Sequence, residues 1–189
     1  AGRKFWSFQP VHAAQPPGVR HSDWARSDID RFILARLEKE GLAPVGDATP
    51  EKLIRRASFD LLGLPPTPEE IREFVKDVER ETEAGAAFQR LVARLLASPR
   101  FGERWGRHWL DVARYAESTG GGHNVLFPLA FRYRDWVIDS LNADKPYDEF
   151  VREQIAGDLL PAEDNDHRNQ QLAATGFLAI GLKDLREND

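Results

Sequence analysis

Apolar residues recur at helical spacing along most of the chain. Ile29, Phe32, Ile33 and Leu37 form an i, i+3, i+4, i+8 stripe that predicts a first helix. Ser27 or Asp28 can cap it and Gly41 closes it. Thr49-Pro50-Glu51 supplies a cap, a first-turn proline and an early acid. The second helix then carries Leu53, Ile54, Ala57, Phe59 and Leu61 up to Gly63. Thr67-Pro68-Glu69-Glu70 reads as a capping box, and opens a third helix with Ile71, Phe74, Val75 and Val78. Phe88, Leu91, Val92, Leu95 and Leu96 mark a fourth. Ser98-Pro99 starts a fifth, expected over about 100–117. Beyond the glycine loop Ser118–Asn124, three more stripes follow: residues 129–142, a segment from Tyr147-Asp148, and a last one with Leu172, Ala173, Phe177 and Leu178. No segment alternates apolar and polar residues as a half-buried strand does.

The pattern predicts an all-α protein, a single compact bundle of about seven amphipathic helices over residues 27–189. Residues 1–26 read as an extended arm. Pro10, Pro16 and Pro17 prevent a helix there, and Phe5, Trp6 and Phe8 are expected to staple the arm onto the domain. Both ends read as cuts in a longer protein, because the chain starts at Ala1 and stops at Asp189 just after an apolar stretch.

Composition narrows the function classes. No run approaches the roughly 18 apolar residues of a membrane-spanning helix. The chain has no Cys, which excludes a disulfide, a thiolate metal site, a Cys nucleophile and covalent c-type haem within it. Net charge is −5, concentrated at the end: residues 144–189 hold 5 Lys/Arg against 11 Asp/Glu. Nothing forms the basic stripe of a nucleic-acid-binding surface, so no nucleic-acid partner is expected. Arg outnumbers Lys 20 to 6, a bias that genome composition explains more simply than anion binding.

Candidate chemistry lies on the fifth helix. At 100° per residue Phe101, Trp105, Trp109, Val112 and Ala116 share a face, with His108 in its middle. Arg104 at i−4, Asp111 at i+3 and Tyr115 at i+7 then come within reach of His108. An imidazole oriented by a carboxylate suits a general base or a metal ligand. The pattern more readily suits a buried histidine satisfied by Asp111 and Tyr115. The catalytic candidates are therefore His108, Asp111 and Tyr115, and the ligand-binding candidates Arg104, Arg114, Arg134, Asp135 and Asp158. A divalent-metal site from Asp111, Asp135 and Asp158 is a third reading; the spacing does not assign a metal ligand set. The glycine loop lacks the Gly-Lys-Ser/Thr ending of a phosphate loop, and the Asp164/Asp166 run lacks the glycine of a calcium loop.

Several phrases carry a family resemblance: Phe5-Trp6-Ser7-Phe8-Gln9-Pro10-Val11, Ile29-Asp30-Arg31-Phe32-Ile33-Leu34, Phe59-Asp60-Leu61-Leu62-Gly63-Leu64-Pro65-Pro66-Thr67-Pro68, His108-Trp109-Leu110-Asp111 with Ala113-Arg114-Tyr115-Ala116, and Gln154-Ile155-Ala156-Gly157-Asp158-Leu159. Through them the chain resembles the DUF1549 domain, the planctomycete cytochrome-associated domain PSCyt2. The resemblance implies a large exported, periplasmic-type protein, with a cytochrome-c-like domain before this region and a DUF1553 domain after it as partners in the same polypeptide. It also implies a Cys-x-x-Cys-His haem-attachment segment, which this Cys-free chain lacks, so haem c is expected only in the full-length protein. The family brings no catalytic residues. What it implies is a scaffold or interaction domain supporting a haem-bearing segment. The alternative is an enzyme domain acting on an anionic or polymeric substrate through a His/Asp/Arg site on helix 100–117.

Overall fold

The computed structural model describes residues 4–83, 85–120 and 124–180. Gly121, Gly122 and His123 of the glycine loop, and the C-terminal residues from 181 on, lie outside the described residues. Among those described, the chain is helical, with eight helices of ten residues or more and one isolated β-bridge, Ser118 with Leu126. It divides into two units, residues 1–48 and 49–189.

The first unit holds the arm and α1 (Asp28–Lys39). Ser27 accepts the Asp30 backbone N–H while the Asp30 carboxylate accepts the Ser27 N–H, a reciprocal cap. The Ser27 hydroxyl and the Arg26 backbone N–H also donate to that carboxylate and hold its pKa below the usual range. The Glu38 carboxylate accepts the backbone N–H groups of Arg20 and His21, which ties the turn at Ser22–Trp24 to α1. Phe5, Trp6 and Phe8 are exposed, with the Phe5 ring against those of Trp6 and Phe8.

The second unit contains α2 (Pro50–Leu62), α3 (Pro68–Arg80), α4 (Ala86–Leu96), α5 (Arg100–Val112), α6 (Ala130–Asn142), α7 (Tyr147–Ala156), α8 (Asn165–Ala174) and the single turn α9 (Gly176–Ala179). Gly63 ends α2 at φ +72°, a left-handed conformation that glycine adopts without strain. The capping box at Thr67 and Glu70 is present at the start of α3. One apolar cluster joins Ile54 and Ala57 of α2 to Phe74 of α3 and to Ala87, Leu91 and Leu95 of α4. A second joins Tyr133, Trp136 and Val137 of α6 to Phe150 of α7 and Ala174 of α8. Helix α5 connects them, packing on α2 and more extensively on α6.

Helix α5 stops five residues short of the expected end at 117. Arg114 takes φ +55°. The Tyr115 N–H reaches back to the Leu110 carbonyl at 2.9 Å and the Arg114 N–H to Asp111 at 3.2 Å. This is the double bond of a helix C-cap of the Schellman type, built on arginine where glycine is usual. Tyr115 therefore leaves the helix that was to carry it beside His108.

Candidate functional site

The buried face of α5 is made of its two glycines. A Cβ at Gly102 would overlap the Ile138 carbonyl oxygen and sit 2.7 Å from the Asn142 side-chain amide. One at Gly106 would lie 3.2 Å from Ile138 Cγ1. The absence of side chains lets α5 and α6 approach closely. Asn142 completes the seam: its Oδ1 accepts the Gly102 N–H at 2.8 Å and its Nδ2 donates to the Pro99 carbonyl at 3.0 Å. An N–H at the start of α5 is thus satisfied by a residue 40 positions away rather than by a local cap alone.

This seam turns the aromatic stripe outward. Trp105 is 41% exposed and Val112 75%. His108 is exposed, and Phe101 is half-buried. The Trp105 ring lies 6.1 Å from that of Phe101 and 5.4 Å, edge-on, from that of His108. The sequence expectation of a buried His108 held by Asp111 and Tyr115 is corrected. Among the described residues the His108 side chain has a ring contact with Trp105 and no hydrogen bond or ion pair. Asp111 is exposed on the same helix and likewise makes no side-chain bond.

The other candidates separate into those brought together and those left apart. Tyr115, Arg134 and Asp135 converge, joined by Glu117, which the sequence did not single out. Tyr115 donates to Glu117 Oε1 at 3.1 Å, and Arg134 lies 3.4 Å from the same oxygen and 2.8 Å from Asp135 Oδ1. Burial, then the Glu117 bond, pushes the Tyr115 phenol up to about 12. The Asp135 hydrogen bond is the main cause that raises Arg134 above its ordinary value. Arg104 points away from this group. It covers Gly63, with its Cδ 2.8 Å from where a Cβ there would stand, and its buried Nε has no partner. Arg114 is the exposed left-handed residue that follows the Ala113 C-cap. Asp158 is exposed, and its backbone carbonyl accepts from Arg168 at 3.2 Å. Among the described residues no three His, Asp or Glu side chains are placed to hold a metal ion, so Asp111, Asp135 and Asp158 do not form the site considered for them.

Two buried polar groups were not legible as such. Gln154 Oε1 accepts from Trp109 Nε1 at 2.8 Å and from Tyr133 Oη at 2.7 Å, while its Nε2 donates to the Phe150 carbonyl at 2.9 Å. Burial pushes the Tyr133 phenol up to about 12. Nearby, Lys145 donates to the buried carboxylate of Glu153 and lies 5.3 Å over the Trp136 ring. His167 Nε2 is 4.0 Å from the other Glu153 oxygen. Outside this core, α6 and α8 border a cleft of about 540 Å³ with Trp136 in its wall. A full helix face, Phe131 to Ala143, lines one side. That face was predicted in part, but the facing residues Asn169 and Gln170 carry no periodic signal.

A family model described as PSCyt2, protein of unknown function (DUF1549), matches residues 28–189. The chain belongs to the DUF1549 family. Neither a curated protein nor a solved structure matches it. No helix among the described residues of this DUF1549 domain is long and apolar enough to cross a membrane.

Proposed function

We propose that this DUF1549 domain is a scaffold and interaction domain of an exported multidomain protein that carries haem c on another segment. Its partners are the cytochrome-c-like and DUF1553 domains of the same polypeptide. The observation that carries the reading is the outward aromatic row of α5, with Trp105 41% exposed between Phe101 and His108. Exposed tryptophan and histidine on a helix fixed from behind by a glycine seam make a rigid surface, and aromatic side chains dominate the energetics of protein interfaces. The alternative, catalysis on an anionic or polymeric substrate by helix 100–117, calls for a His108–Asp111 pair inside a cleft. His108 and Asp111 are both exposed and unbonded to each other, so the geometry favours the interaction reading.

Calorimetric titration of the chain with separately produced cytochrome-c-like and DUF1553 domains tests this. Saturable binding to one of them, reduced at least tenfold by Trp105→Ala in a chain with unchanged circular dichroism, is expected. A folded chain that binds neither overturns the proposal. A visible spectrum of the full-length protein, matured in a haem-attaching host, tests the haem part: a c-type Soret band is expected, and its absence removes that part.

A further inference from the structure

We propose that the cleft between α6 and α8 binds an uncharged oligosaccharide. Its volume, about 540 Å³, falls within the roughly 300–1,000 Å³ of small-molecule sites. Its α6 side runs from Phe131 to Ala143, about 18 Å at 1.5 Å per residue. That is longer than one sugar ring and suits a short chain of them.

The side chains around it have unused hydrogen-bonding capacity of one shape. Arg132 and Asp139 line the cleft and make no ion pair or side-chain hydrogen bond among the described residues. Asn169 and Gln170 face them from α8, and their amides are equally unbonded. A guanidinium, a carboxylate and two amides are all planar and fork-shaped, and between them offer donors and acceptors side by side. Adjacent sugar hydroxyls, each both donor and acceptor, are the complementary partner. Phe131, 42% exposed at one end of the lining, supplies an aromatic face for the C–H surface of a sugar ring.

Charge argues for a neutral ligand. The free Arg132 and the free Asp139 cancel. The other two charged lining groups are already paired, Asp135 with Arg134 and Lys145 with Glu153. The lining holds two basic and two acidic groups, so its formal charges balance and favour neither a phosphate nor a metal ion. An extended peptide is a poorer fit, because both walls are helices whose backbone groups are bonded internally and offer no edge for strand addition. The site is separate from the α5 face, so it stands or falls independently of the interaction reading.

The test is a glycan array probed with the fluorescently labelled full chain, beside a tripeptide array as comparison. Binding to neutral oligosaccharides is expected. Phe131→Ala and Asn169→Ala, at surface positions, are each expected to weaken it at least tenfold while leaving circular dichroism unchanged. Four results would overturn the proposal: a silent glycan array, binding restricted to anionic glycans, binding indifferent to both variants, or capture of tripeptides in place of glycans.

Discussion

Replacing Gly102 with alanine should loosen the α5–α6 seam, and the magnitude follows from its surroundings. The new methyl would overlap the Ile138 carbonyl oxygen and lie 2.7 Å from Asn142 Cγ, where carbon contacts settle at about 3.5–4.0 Å. The carbonyl belongs to the backbone of α6 and cannot rotate away, so the helices must part. Overpacking of this kind costs about 1–3 kcal/mol. The Asn142 bond to the Gly102 N–H is lost with it, about 1 kcal/mol more. Alanine returns roughly 1 kcal/mol through helix propensity. The net loss is about 1–3 kcal/mol. Gly106→Ala is the control: its methyl meets the Ile138 side chain at 3.2 Å, and a side chain can shift. Propensity and crowding then nearly cancel, to within about 1 kcal/mol. Urea unfolding followed by near-ultraviolet circular dichroism reads the stacked Tyr133–Trp136–Phe150 core directly. If the Gly102→Ala midpoint equals that of Gly106→Ala, the close-approach reasoning is wrong.

Three further outcomes are expected. His108→Ala should change unfolding free energy by no more than about 0.5 kcal/mol, because the side chain is exposed and unbonded; a urea midpoint lowered by a kilocalorie-scale loss would restore a buried role for it. Gln154→Leu should destabilise by about 2–4 kcal/mol, since it strips the shared acceptor from Trp109 Nε1 and Tyr133 Oη inside the core, and the same unfolding assay checks it. Tyr115 and Tyr133 should ionise near pH 12, seen as a late rise in tyrosinate absorbance; their contribution is whole below pH 10, where the unfolded chain keeps its phenols neutral, and is lost as pH rises from 10 to 12.

Helix positions were legible because their signals are local. The capping box at Thr67 and Glu70, the proline of Pro50 and the left-handed Gly63 each act within four residues. The end of α5 was not, because its cap uses Arg114 at φ +55°. An L-residue there is tolerated only when the surrounding fold holds it, and nothing in the local sequence announces that. The seven or so helices expected compare with eight of substantial length among the described residues, and α1 is assigned with the arm to the first unit.

The candidate site was misread for one physical reason. A hydrophobicity pattern weights Phe101, Trp105 and Val112 as core and treats Gly102 and Gly106 as neutral. The α5–α6 contact inverts that weighting, since close helix approach rewards the absence of a side chain. At 100° per residue the two glycines stand about 100° and 140° around the helix from Phe101, with Trp109 beside them. Trp109 accordingly is the aromatic that reaches the core, where its ring packs 4.9 Å from Phe150. Trp105 and His108, on the Phe101 side, are carried outward with it. The row that pattern reading assigned to the interior is therefore the row left to contact something else, and the residues that do converge, Tyr115, Glu117, Arg134 and Asp135, do so only because the helix stops at Val112 and lets the chain turn back toward α6.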